Sequence, residues 1–285
     1  MTAREAAVPR PQSEGGDVDL TAVQAVRIAR SRADLTLGPG ERYLAGGTWM
    51  FSDDQPGVTG LVDLSGLRWD ELDVTTAGDL RIGAMTTIGG LERWATTAPY
   101  PAAPLFTQSA ESLLASFKVR AAATVGGNIV RSYAASSMVA LAATLDATAT
   151  IWHADGTDSV VPVASLPTGN GTTSLAPTDV LRDVVVPGAA LGALTASRRI
   201  ALAQHGRSGA LLTGRRDLEG ACTFVITAAT LIPTVLRYPS LPEAKRLEAD
   251  VRGATGYYTD PLGSADWRRQ VSAVLLAEVR EELAQ

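Results

Sequence analysis

The stretch Ala121-Ala-Ala-Thr-Val-Gly-Gly-Asn-Ile129 sets an apolar run against a glycine pair and closes it with an amide side chain. Adjacent glycines permit positive φ and let backbone N–H groups approach an anion with no Cβ between them. Upstream, Tyr43-Leu-Ala-Gly-Gly-Thr-Trp-Met50 repeats the device, a short apolar strand ending in Gly46-Gly47 and a hydroxyl. Two such turns facing each other would form a cradle for a diphosphate. Neither segment is the Gly-x-Gly-x-x-Gly dinucleotide fingerprint, and no Gly-x-x-x-x-Gly-Lys-Ser/Thr phosphate loop occurs. One glycine pair by itself more often marks an ordinary turn, so the constraint lies in having two.

Composition narrows the chemistry. The chain has 285 residues, 46% of them hydrophobic and 19% charged, enough for about two domains with a sizeable core. A net charge of −5 argues against a general nucleic-acid surface. Arg215-Arg216 and Arg268-Arg269 read as solvated faces or ion-pair partners. No apolar run approaches the roughly 18 residues of a membrane span, and no signal-peptide core is visible, so a cytoplasmic location is expected. The single cysteine, Cys222, cannot supply the four thiolates of an iron–sulfur cluster. The only histidines, His153 and His205, are far apart, so neither a histidine metal site nor a Ser-His-Asp triad is expected. Redox chemistry would have to come from a bound organic cofactor.

Along the chain, residues 1–18 read as a mobile leader rich in Pro, Gly, Ser and charge. Leu20, Val23, Val26, Ile28 and Ala29 predict a helix, capped by Asp19 or Thr21. Strands are predicted at residues 42–45 and 58–64, and a first unit ends near residue 70. A second unit, residues 71–178, holds a strand at 80–84, helices at 88–95, 105–116 and 134–145, and strands at 148–152 and 159–163 around the Asp155-Gly156 turn. From residue 179 onward the chain reads as a third unit. It has strands at 180–186, 199–202, 209–213 and 221–231, then helices at 241–251 and 265–283, the last started by Ser264 or Asp266.

The order of motifs is more specific than any one of them. Phe117-Lys-Val-Arg-Ala-Ala-Ala-Thr-Val-Gly-Gly-Asn-Ile129 resembles the second flavin loop of the FAD-binding domain of molybdopterin dehydrogenases, and residues 43–50 resemble the first. That family includes the flavoprotein parts of xanthine dehydrogenase, aldehyde oxidase and carbon monoxide dehydrogenase. Val62-Asp-Leu-Ser65, Arg81-Ile-Gly-Ala84, Leu145-Asp-Ala147, Asp179 to Pro187 and Asp266-Trp-Arg-Arg269 are similar to further family segments, so the resemblance spans residues 20–283.

The resemblance implies an α+β chain. Two subdomains form an FAD-binding fold of the PCMH, vanillyl-alcohol oxidase-like type, followed by a C-terminal domain of antiparallel sheet and helical bundle. It implies a non-covalent FAD contacted by Tyr43, Leu44, Ala45, Gly46, Gly47, Thr48, Trp49 and Met50, and by Thr124, Val125, Gly126, Gly127 and Asn128. Leu114 and Leu181 match positions near the flavin, and Arg199 falls near a basic position of some members. One departure stands out: Ser137 occupies the place of the family's acidic residue, with Tyr133 as an aromatic that could compensate.

By the same resemblance the chain would be the electron-transfer subunit of a molybdenum hydroxylase-type dehydrogenase. Its partners would be an iron–sulfur subunit and a large molybdopterin-binding subunit, and its external acceptor NAD+, a quinone or O2. The resemblance implies no catalytic acid or base in this chain. The alternatives are a flavin-binding assembly or regulatory protein, and a self-sufficient FAD reductase similar to the UDP-N-acetylenolpyruvoylglucosamine reductases. The substrate of such a complex would bind on another polypeptide.

Overall fold

The computed structural model describes residues 20–203 and 206–285; the expected leader, the Asp19 cap and His205 lie outside the described residues. The first sheet is parallel and comprises β1 (Ala25–Ile28), β2 (Glu41–Leu44) and β3 (Gly60–Asp63), with β3 in the middle. Arg27 and Glu41 join the two outer strands across β3 through a two-pronged ion pair of 2.9 and 3.0 Å. Gly60 lies beneath the pair, where a Cβ would stand 3.1 Å from Glu41 Cγ. The helix expected from Leu20 is therefore corrected to strand β1. Its β-branched Val26 and Ile28, two residues apart, share one face and suit a pleated edge, and pairing to β3 outweighs the helical spacing.

The second sheet is antiparallel, in the order β4-β5-β10-β6-β7. It contains β4 (Leu72–Val74), β5 (Leu80–Gly83), β6 (Thr148–Trp152), β7 (Asp158–Pro162) and β10 (Val180–Val186), with a small hairpin of β8 (Pro167–Gly169) and β9 (Thr172–Thr173) before β10. The β6–β7 hairpin turns at Asp155-Gly156 as its sequence requires, with Gly156 at φ +90°. The strand at 180–186, expected to open the C-terminal unit, instead runs down the middle of this sheet. Its run of Val and Leu has two apolar faces to cover, which only a central strand provides.

Five helices bridge β5 to β6: α1 (Ile88–Ala95), α2 (Ala103–Ser112), α3 (Phe117–Ala122), α4 (Val125–Arg131) and α5 (Ser137–Thr144). Thr87 caps α1 by accepting from the Gly90 N–H at 3.0 Å. Leu80, Ile82, Ile88, Leu91, Phe106, Ile129 and Leu145 meet in one buried core. The Ala-rich α5 is buried along its whole length.

After a single turn, α6 (Gly188–Leu191), a four-stranded meander follows: β11 (Leu194–Ile200), β12 (Ala210–Arg216), β13 (Cys222–Thr227) and β14 (Thr234–Tyr238). Helices α7 (Ala244–Gly253) and α8 (Ala265–Leu283) pack on it, and Ser264 caps α8 at the Trp267 N–H. The sequence reading missed β14, because Pro233 looked like an end and in fact precedes a fourth strand. Asp146 ties this unit to the preceding one through ion pairs of 2.7 Å to Arg215 and 2.6 Å to Arg237. Among the described residues no helix is long and apolar enough to cross a membrane.

Candidate functional site

Where β2 ends, the chain enters a cleft of about 880 Å³ bounded by all three units. That volume sits toward the upper end of small-molecule and cofactor sites, roughly 300–1,000 Å³. Its first wall is the loop after β2. Among the described residues, the N–H groups of Gly46, Gly47, Thr48, Trp49 and Met50 make no hydrogen bond within the chain. Consecutive unspent donors at a cleft are what an anionic ligand requires. Gly47 takes φ +70°, and Gly46 packs so tightly that a Cβ there would stand 1.9 Å from the Ala122 carbonyl oxygen. The two glycine segments therefore touch each other directly.

The second pair behaves differently from the first. Gly126 and Gly127 are not at positive φ; they lie in the first turn of α4. The N–H donors there are spent: Val125 on Thr86 O at 2.9 Å, Gly126 on Ala84 O at 2.9 Å, and Gly127 on the capping Thr124 Oγ1 at 3.0 Å. Gly126 is needed for packing, since a Cβ would lie 2.7 Å from Ala84 Cβ. The expectation of two equivalent N–H cradles is thus corrected, because helix formation and docking on residues 84–86 use the donors of the second. What the second segment presents is a glycine floor and the Asn128 side chain. Asn128 Oδ1 accepts from Ser136 Oγ at 2.7 Å and from the Met138 N–H at 3.1 Å, which leaves its NH2 as the open end.

All of residues 43–50 line the cleft, together with Leu114, Thr124, Gly126, Gly127, Asn128 and Leu181. Three expected residues do not. Val125 is 2% exposed and belongs to the core, and Ser137 is fully buried with its Oγ unpartnered. Ser136 lines the cleft instead, since one step along a helix start rotates a side chain by roughly 100°. Arg199 is held away from the wall, bonding Ser208 Oγ at 2.8 Å and the Gly206 carbonyl, and burial lowers its pKa from the usual guanidinium value. It thereby supports the segment whose Arg207 and Ser208 do line the cleft.

Sequence reasoning passed over Arg131, Asn170, Gly171, Arg207, Tyr258 and Asp260, all cleft residues. Asn170-Gly171 reads locally as a turn, and nothing in a turn says what it faces. Tyr43 closes the far end; burial raises its pKa, so its hydroxyl stays a donor, to the carbonyls of Leu35 and Thr178. His153 lies 3.0 Å from Asp179 and 2.7 Å from Ser159 Oγ, an order of groups the sequence reading discounted. Ser159 sits within β7 and neither it nor His153 lines the cleft, so the chain of bonds ties hairpin to loop.

Residues 20–189 match the family described as the FAD binding domain in molybdopterin dehydrogenase. The fold is similar to the solved quinoline 2-oxidoreductase of Pseudomonas putida 86, with TM-score 0.75 and 22% identity over 92% of this chain and 96% of that one. It is also similar to the reconstituted CO dehydrogenase of Oligotropha carboxidovorans, with TM-score 0.78 and 21% identity over 91% and 96%. A third similar structure, the CO dehydrogenase of Hydrogenophaga pseudoflava, has TM-score 0.74 and 19% identity over 90% and 96%. Among curated protein sequences none matches significantly.

Proposed function

The chain belongs to the family of FAD-binding domains found in molybdopterin dehydrogenases, and from that premise we propose that it is the flavin-carrying electron-transfer subunit of a molybdenum hydroxylase-type dehydrogenase. The observation that carries this reading is the row of five unspent N–H donors, Gly46 to Met50, closed against Ala122 at a site where a Cβ would not fit. A diphosphate matches that row, and a neutral ligand would leave most of it unpaired. Thr48 and the Asn128 amide add side-chain donors, while Leu114 and Leu181 give apolar contact for a ring system.

FAD, when bound, would supply the redox chemistry, accepting electrons that arrive through iron–sulfur centres and yielding them to NAD+, a quinone or O2. This chain's own part is to bind, orient and shield. One buried cysteine cannot build a cluster, so the iron–sulfur centres belong to a partner subunit, and the molybdopterin site to a larger one. The likeness to CO dehydrogenase and quinoline 2-oxidoreductase supports such an assembly. A cytoplasmic location belongs to the same reading.

Purified alone, the protein is expected to be yellow and to release FAD on denaturation, because among the described residues no His or Cys lines the cleft to tether it. Chromatography of the denatured sample checks this, and flavin remaining on the polypeptide would contradict it. Absence of any flavin in the native sample, with none taken up on titration, would remove the function itself. Mixing the reduced protein with each acceptor in turn identifies the one that reoxidises it.

A further inference from the structure

Arg131 ends α4 and lines the cleft, and among the described residues its charge meets no carboxylate within 4.0 Å. Its guanidinium carbon stands 4.2 Å from the Trp49 ring centre and 4.1 Å from that of Tyr133. Both rings thus stand within cation–π distance of the guanidinium. Two of its five N–H groups are used, Nη1 donating to the Gly171 carbonyl at 2.9 Å and Nη2 to the Tyr133 hydroxyl at 2.8 Å. Its Nε is buried and, among the described residues, meets no acceptor.

The seat is built from three separate segments. Gly171, at φ +84° on the tip of the β8–β9 hairpin, leaves room for the guanidinium, since a Cβ there would lie 3.0 Å from Nη1. That tip is pinned to the end of α4 by Gly171 N–H to Ser132 O at 2.8 Å and by Ala134 N–H to Asn170 Oδ1 at 3.0 Å. Trp49 adds a second ring to the seat and also carries one of the five unspent backbone donors. A half-buried cation with no counter-ion has lost solvation without recovering it, and an anion arriving with the ligand restores the balance.

The carboxylates on the cleft wall are engaged elsewhere. Asp260 pairs with the buried Arg268, Asp179 faces His153 and accepts from the Ala176 N–H, and Asp53 accepts from the Trp49 indole. Among the described residues Arg207 likewise meets no carboxylate within 4.0 Å and no aromatic ring in cation–π contact.

We propose that Arg131, held ready against the rings of Trp49 and Tyr133, is the counter-charge for the FAD diphosphate and makes the site discriminate against flavins that lack phosphate. This rests on the FAD reading above. Each phosphate in FAD carries negative charge that riboflavin lacks, so the Arg131 contribution should appear for the first ligand alone and should weaken with salt.

The test removes flavin from the full chain and titrates FAD and riboflavin at low and high salt, for wild type and Arg131→Gln. The substitution is expected to weaken FAD by about tenfold or more, as loss of a charge-assisted contact implies. It should also flatten the salt dependence of FAD binding and leave riboflavin unchanged. Undiminished FAD binding, or equal losses for FAD and riboflavin, would overturn the assignment. Should Arg131→Gln fail to fold, Arg131→Met carries the test with the same readouts: weaker FAD binding with riboflavin unchanged supports the role, and unchanged FAD affinity refutes it. A wild-type chain that takes up riboflavin and FAD alike also refutes it while leaving flavin binding standing. A wild-type chain that binds no flavin removes the FAD reading and this assignment together.

Discussion

At Gly46 and Gly127 the same residue type answers two different demands. Gly46 is where two loops meet, and any Cβ would drive into the Ala122 backbone at 1.9 Å. Gly127 lines the cleft, and a Cβ there would meet Thr124 Oγ1 at 2.8 Å and otherwise only Ala45 Cβ at 3.8 Å. Gly46→Ala is therefore expected to cost stability, about 1–3 kcal/mol as overpacked sites do, and to lose flavin as well. Gly127→Val should lose flavin with the fold retained, at about 1 kcal/mol for a disturbed helix cap. Flavin absorbance per polypeptide and thermal melts separate the two; equal behaviour of both variants would contradict the assignment of roles. Each pair was visible in the sequence as a place for close approach. Which atom approaches was not, because Ala122 is dozens of residues from Gly46 along the chain and adjacent to it only in the fold.

Among the elements, the parallel sheet of the first unit depends on a contact no local pattern announces. Arg27 on β1 reaches over β3 to Glu41 on β2 with both prongs. The hydrogen bond from Arg27, with a further one from the Gly38 N–H, pushes the Glu41 pKa down from 4.5 to about 2. A carboxyl depressed in the folded state adds stability that is complete above its unfolded value and is lost as pH falls through the folded one. Acid melts should thus show a loss of stability between pH 4.5 and about 2 to which Glu41 contributes. In Glu41→Gln that part of the loss disappears and the neutral-pH melting point falls. A variant whose acid profile matches wild type would show that the pair is not coupled to folding. Helix α8, by contrast, was legible to the residue, since Ser264 and the apolar periodicity fix it locally. Strand β1 was not, since only its partner strand reveals that Val26 and Ile28 lie on a sheet edge.

Over the whole molecule, Asp146 joins the C-terminal meander to the rest. Its carboxylate meets Arg215, whose side chain is 8% exposed and which also donates to the Thr144 carbonyl, and the more exposed Arg237. Among the described residues, Asp146→Ala leaves a buried guanidinium with Asp217 as its one remaining counter-ion, and a cost of about 2 kcal/mol is expected. Because Arg207, Ser208 and Tyr258 reach the cleft from that unit, flavin affinity should fall with it. Calorimetry and flavin titration of the variant check both, and an unchanged melt would mean that the units do not depend on this tie. The sequence by itself determined the order of the two glycine segments, the helix caps, the hairpin at Asp155-Gly156 and the lack of thiolates for a cluster, because each is set by residues adjacent in the chain. Only the tertiary structure decided that the first glycine segment keeps its N–H donors open while α4 spends those of the second. It alone moved β10 to the centre of a sheet and set Arg131 against two aromatic rings on the cleft wall. Those outcomes depend on which buried surfaces and donors find partners across long stretches of chain, and that is settled only when the whole fold closes.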